Sequence, residues 1–136
     1  MNKKLKVGLD IHGVIDTYPE RFKLLSNALF NDGAEVHVIT GVKRDDAIEK
    51  QLAQAGIQYT HYFSIVDSLE AQDAIRWEDG LPYADDAKWN VAKRDYCDEQ
   101  GIDFMIDDSP IYRETFHNIG TTYLHLINNS ITKIGH

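Results

Sequence analysis

Three short apolar runs each stop at a polar residue, and this pattern constrains the chain more than any other feature in it. Residues 6–11 (KVGLDI) carry Asp10 and turn at His12-Gly13; residues 35–40 (EVHVIT) stop at Thr40, before Gly41; residues 102–106 (IDFMI) run into Asp107-Asp108-Ser109. Short, β-branched-rich runs bounded by turn residues read as buried strands. Between them lie helical patterns. Over 18–30, Phe22, Leu25, Ala28 and Leu29 share one face, Pro19 suits a first turn, and Asn31-Asp32-Gly33 is a stop signal. Over 43–55, Ala47, Ile48, Leu52 and Ala55 face inward, and Gly56 ends the helix. Residues 86–100 form a third helix ended by Gly101. Residues 57–66 read as a third strand plus a loop, 111–117 as a short helix and 121–127 as a last strand.

Strands that alternate with helices imply a parallel sheet with right-handed crossovers. The expected fold is three-layer α/β, Rossmann-like, with a central, mostly parallel sheet in one domain over residues 1–136. Ligands of such sheets sit beyond the carboxyl ends of the strands. That fold would gather Asp10, Thr40 and the Asp107-Asp108 pair at one edge. Residues 67–86 fit neither period. Within them Asp79-Gly80, flanked by 74–78 and 81–84, signals a type I′ hairpin, expected as a small cover carrying Trp77 and Tyr83, with Trp89 beside it.

Charge narrows the partners. With 22 acidic against 14 basic residues, the net charge of −8 gives no field for nucleic acid. Phosphate would need a local device such as a metal, a helix N-terminus or a lysine. The single cysteine, Cys97, cannot form an internal disulfide, and no apolar run approaches a membrane span; a soluble cytoplasmic protein is expected. Nothing in the residues indicates an oligomeric state.

Asp10 with Asp107 and Asp108 would make an oxygen-rich site suited to Mg²⁺, and a carboxylate can itself attack a phosphoryl group. Gly13 lets the backbone approach a ligand closely. The Thr40 hydroxyl, Gly41 and the following helix N-terminus together would cradle a phosphate. His37, His61, His117, His125 and His136 lack zinc-ligand spacing and read as structural or solvent-exposed; Cys97 reads as packing.

These residues resemble the haloacid dehalogenase-like hydrolases. Residues 10–15 (DIHGVI) resemble that family's first motif, 38–41 (VITG) its second, and 104–109 (FMIDDS) its fourth. The third motif is a lone lysine, which Lys88, preferred, or Lys93 would supply. The resemblance implies a Mg²⁺-dependent phosphomonoesterase that forms an aspartyl-phosphate on Asp10. Thr40, Gly41 and Gly13 would bind the phosphoryl group and the lysine would neutralise its transition-state charge. Asp10, the His12 backbone carbonyl, Asp107 and Asp108 would hold the metal. No cap domain fits between Asp10 and Thr40. An open site suits a small phosphorylated substrate, with a nucleotide as first candidate, and Arg76 and Arg113 as candidates for a second anionic group. The departure is His12, where the family carries an aspartate acid/base. An imidazole titrates near neutrality and can serve in that role. The alternative is a catalytically impaired phosphate- and metal-binding or regulatory domain.

Overall fold

The computed structural model describes residues 3–128, so His136 lies outside the described residues. Strands β1 (Lys6–Leu9), β2 (Glu35–Thr40), β3 (His61–Ser64), β6 (Phe104–Asp107) and β7 (Thr122–His125) form one sheet of order β3-β2-β1-β6-β7. Every pairing in it is parallel. Strands β4 (Arg76–Glu78) and β5 (Leu81–Tyr83) form a separate antiparallel hairpin. The helices are α1 (Pro19–Asn31), α2 (Asp46–Gln54), α3 (Ile65–Ala71), α4 (Asp86–Gln100) and α5 (Pro110–Arg113).

The period-2 alternation of the strands sorts side chains onto two cores. Val7, Leu9, Val36 and Val38 pack with Phe22 of α1 and with Ile48 and Leu52 of α2. Ile39 and Met105 face the other way, against Cys97 of α4 and Ile102. Burial of each large aliphatic side chain contributes about 1.5–3 kcal/mol, so both faces hold their helices, as an α/β sheet requires. Gly8, mid-sheet in β1, makes room for the second core. A Cβ there would lie 2.6 Å from Ile39 Cδ1 and 2.7 Å from Met105 Sδ.

The structure revises three sequence expectations. Residues 65–71 are a helix, not the end of a strand: the Ser64 side chain accepts from the Asp67 N–H at 3.0 Å and caps α3. The expected irregular segment 67–86 therefore opens with the last five residues of that helix. Helix α2 starts at Asp46, three residues later than expected, because Asp45 caps it by accepting from the Ile48 N–H at 2.9 Å. The Asp79-Gly80 hairpin does form. Both residues have positive φ (51° and 76°), as a type I′ turn demands. No helix among the described residues is long and apolar enough to cross a membrane.

Candidate active site

Parallel register brings the polar strand ends together. Leu9 pairs with both Val38 and Ile106, and the Asp10 N–H donates to the Ile106 carbonyl at 3.1 Å. One step beyond these pairs stand Asp10 and Asp107, with Thr40 at the end of β2. The chain then makes a wide turn over Ile11–Ile15: the Ile15 N–H reaches the Asp10 carbonyl at 3.4 Å and the Asp16 N–H the Ile11 carbonyl at 3.0 Å. Gly13 sits in this turn at φ +81°, and a Cβ there would fall 1.9 Å from Asp108 Oδ2. Two independent requirements, a left-handed backbone and the approach of a carboxylate, thus exclude a side chain at Gly13.

The lysine at the centre of the cluster is Lys93, not Lys88. Lys93 Nζ lies 2.7 Å from Asp107 Oδ2 and 3.1 Å from Asp10 Oδ1, and its side chain is 1% exposed. Lys88 is exposed on another side of α4, in a groove with Phe63, Leu69 and Tyr96. Five residues on a helix turn the side chain by about 140°, so both lysines cannot reach the sheet edge. The legible signal was the stripe Trp89, Lys93, Cys97, spaced by four, which puts Lys93 on the face carrying the buried cysteine. Its ammonium also lies 4.6 Å from the centre of the Tyr112 ring.

Asp10 Oδ1 also accepts the Ile11 N–H at 2.9 Å, and Asp107 Oδ1 accepts the Ser109 N–H at 3.1 Å. Burial pulls the Lys93 ammonium down, but the charges of Asp10 and Asp107 outweigh it and hold it above its ordinary value. Burial drives the Asp10 carboxyl well above the usual range; Lys93 opposes this and Asp107 adds to it. Asp108 is raised by burial and then by Asp107. For both carboxyls burial is the larger cause and the neighbouring Asp107 adds to it, with the single ammonium of Lys93 set against three clustered carboxylates. Asp10, Asp107 and Asp108 present carboxylate oxygens that all lie within 4.8 Å of one another. Such an under-compensated, all-oxygen set fits a hard divalent cation.

His12 is held by a residue the sequence reading missed. Its Nδ1 lies 3.0 Å from Asp16 Oδ2, and Asp16 Oδ1 accepts the Gly13 N–H at 2.8 Å. Burial pushes Asp16 up, but the hydrogen bonds from His12 and Gly13 prevail and hold its carboxyl below its ordinary value. The His12 side chain is 63% exposed and borders the pocket. The i, i+4 spacing of His12 and Asp16 was the available signal. Thr40 is fully buried, and its Oγ1 accepts the Val42 N–H at 3.3 Å. The expected helix N-terminus directly after Gly41 is absent, since 41–45 intervene before α2. Gly41 instead admits Trp89, whose Cζ2 would lie 3.2 Å from a Cβ at that position.

Asp10, His12, Gly13, Thr40, Gly41, Lys93 and Asp108 all border one pocket of about 630 Å³. Trp77, Pro82, Trp89, Ser109 and Tyr112 line the same pocket. Tyr83 and Arg76 face a different cleft, where Arg76 pairs with Glu78 at 2.7 Å. Arg113 engages Glu114 and His125. Neither arginine borders the main pocket. Ser109 caps α5 through the Tyr112 N–H at 3.1 Å, so capping and carboxylate clustering coexist in 107–109. His125 donates to the Asp108 carbonyl at 3.0 Å and steadies that loop.

Glu35, His37 and His61 also lie close together. The His37 and His61 rings stack at 4.1 Å with 3° between their planes, and both His37 nitrogens are engaged, by Glu35 at 2.8 Å and Tyr96 at 2.7 Å. A ligand metal lies near the plane of each imidazole, and parallel, offset planes share no such point. The group is a structural ladder. Cys97 is fully buried, its thiol pushed up to about 12 by burial, consistent with packing.

No family model matches the chain, and no curated protein matches it. Among solved structures, the fold is similar to the crystal structure of an uncharacterized protein from Corynebacterium glutamicum ATCC 13032 Kitasato. The TM-score is 0.56 and the identity 16%, over 93% of this chain and 87% of that one. At that identity the likeness speaks for the α/β fold alone.

Proposed function

We propose that the protein is a Mg²⁺-dependent phosphomonoester hydrolase of the haloacid dehalogenase-like type, acting through Asp10. The observation that carries this reading is the Asp10–Lys93–Asp107 cluster at the carboxyl edge of the sheet, opening on a pocket that also presents Thr40, Asp108 and His12. Asp10 Oδ2, the oxygen without the Ile11 and Lys93 contacts, is the one offered to phosphorus. As its bond to phosphorus forms, the bond to the leaving alcohol breaks, and His12 delivers a proton to the departing oxygen. Water then attacks phosphorus, His12 takes its proton, and phosphate leaves with Asp10 restored. Lys93 and the Thr40 hydroxyl would face the charge that develops on the phosphoryl oxygens. Asp10, Asp107, Asp108 and the His12 carbonyl would hold Mg²⁺, which supplies charge neutralisation at the phosphoryl oxygens when bound.

The test is release of phosphate from para-nitrophenyl phosphate, with Mg²⁺ or with EDTA, by wild type and Asp10→Asn. Activity is expected only in wild type with Mg²⁺; equal rates in both proteins refute the mechanism. A beryllofluoride adduct on Asp10 would mark a competent nucleophile. Metal bound without an adduct would favour a silent phosphate-binding domain.

A further inference from the structure

We infer that the preferred ligand is a monophosphate ester whose alcohol carries a flat, uncharged ring, with Trp77 and Trp89 as the residues that recognise it. This rests on the phosphate-site reading above and adds the substrate class. The pocket is lined by two kinds of group: Asp10, Asp108, Lys93 and Thr40 at the carboxylate edge, and Trp77 and Pro82 from the β4-β5 hairpin, Trp89 from α4, Val42 and Val66. Its volume of about 630 Å³ exceeds what one phosphate needs and lies within the range of about 300–1,000 Å³ of small-molecule sites.

Charge limits what can fill that space. The lysines that border the pocket are already paired, Lys93 with Asp10 and Asp107 and Lys43 with Glu70 at 3.3 Å. Arg76 and Arg113 lie outside it. Among the described residues, a second phosphate or a carboxylate would meet Asp10 and Asp108 and would have Lys43 as its lysine partner only by drawing it from Glu70. This charge balance favours a neutral remainder for the ligand. A lining that holds two indoles with Pro82, Val42 and Val66 favours a π-face over a hydroxyl-studded sugar, since hydroxyls against those side chains would lose water without gaining partners.

The two indoles are held differently. Trp89 is fixed: its Nε1–H donates to Tyr112 Oη at 2.8 Å, and its ring lies against Gly41. Trp77 sits on the hairpin and is 45% exposed, so its ring is available to a bound partner. The Trp89 N–H is already engaged by Tyr112, so the indoles offer π-faces that read flatness and not the hydrogen-bonding edge of the ring. Base stacking on aromatic side chains is tolerant in this way.

The experiment compares adenosine 5′-monophosphate, uridine 5′-monophosphate, phenyl phosphate and ribose 5-phosphate, in Mg²⁺, with wild type, Trp77→Ala and Trp77→Phe. Specificity constants come from turnover and dissociation constants from calorimetry. The ring esters are expected to surpass ribose 5-phosphate by roughly 5- to 150-fold, the range that one aromatic stack supplies, with the two nucleotides within about threefold of each other. Trp77→Ala should collapse that ratio toward one and Trp77→Phe should keep most of it. Phenyl phosphate matching the nucleotides identifies the ring alone as the determinant. Nucleotides ahead of both other esters identify a nucleoside. Either result supports the inference. Ring esters that bind wild type without being hydrolysed defeat only the hydrolase reading. Hydrolysis of all four esters with equal specificity constants, or a ratio untouched by Trp77→Ala, overturns this inference and leaves the hydrolase reading standing.

Discussion

Replacing Lys93 by methionine removes the ammonium that sits 2.7 Å from Asp107 and 3.1 Å from Asp10 while keeping a side chain of similar length and apolar stem. The site is almost fully buried, so water cannot take over the lost charge. Breaking a buried ion pair by deleting one partner typically costs about 3–5 kcal/mol, because it strands the other charge. Here two carboxylates are stranded, against a total stability of about 5–15 kcal/mol for a domain. For a chain of this size each kcal/mol moves the melting temperature by about 3–5 °C, so a drop of roughly 10–20 °C is expected in EDTA. A divalent cation would replace part of the missing charge. Saturation at a hundred times its dissociation constant returns about 2.7 kcal/mol, so Mg²⁺ should raise the melting temperature of Lys93→Met more than that of wild type. Lys88→Met is the control. Lys88 is exposed and touches neither carboxylate, and a surface change of this kind stays within about 0.5 kcal/mol. Thermal melts of the three proteins, each with Mg²⁺ and with EDTA, decide the matter. Lys93→Met melting within about 3 °C of wild type in EDTA, or Lys88→Met matching its loss, would refute the assignment.

Gly13→Ala should destabilise by more than about 1–2 kcal/mol, since it adds a left-handed penalty to a collision with Asp108; chemical denaturation measures it, and a neutral result would mean the turn relaxes. Asp16→Asn should lower kcat on the order of ten- to a hundredfold with little change in KM, and His12→Ala about a hundredfold or more; undiminished kcat in His12→Ala removes the imidazole from proton transfer. His37 faces Glu35 on its own strand, His61 on β3, Tyr96 on α4 and the Lys6 ammonium from β1. Burial holds its imidazole below its ordinary value, with the Glu35 hydrogen bond opposing. Its folded pKa therefore lies below its unfolded one, so its contribution is complete above about pH 6.5 and is lost as pH falls toward the folded value, by at most about 1.4 kcal/mol per pH unit. Denaturation of wild type and His37→Phe across pH 5–7 should show the variant lacking that slope; identical slopes would exclude His37 as the source.

The strand ends were legible because their determinants are local. EVHVIT contains its own period and its own stop, and β2 spans those residues. Helix α4 likewise runs from its Asp85 cap to Gly101 in the left-handed region, and Asp79-Gly80 specifies its turn by backbone preference alone. What escaped was set by direction and partner. Ile65-Val66 looks like strand because both residues are β-branched, yet Ser64 caps a helix there and buries them beside Leu69. Choosing between Lys88 and Lys93 required knowing which face of a largely polar helix meets the sheet. Asp16 escaped because its partner lies across a turn whose width depends on Gly13. The cluster was visible as three strand ends; the lysine that binds them was visible only as one position in an apolar stripe.

The β4-β5 hairpin shares no backbone ladder with the central sheet. Two strands of three residues each are marginal alone, whereas Asp10 and Asp107 hang from strands inside a five-stranded ladder. The cover and the carboxylate edge thus belong to different cooperative units, with opening free energies at opposite ends of the native range. In hydrogen exchange, the amides of 76–83 should lose protection well before those of β1 and β6. A protein warmed short of its melting point should keep the Asp10–Asp107 edge ordered after Trp77 has lost its fixed position, so under the proposed function affinity for the metal and selectivity for the ligand would fade at different temperatures.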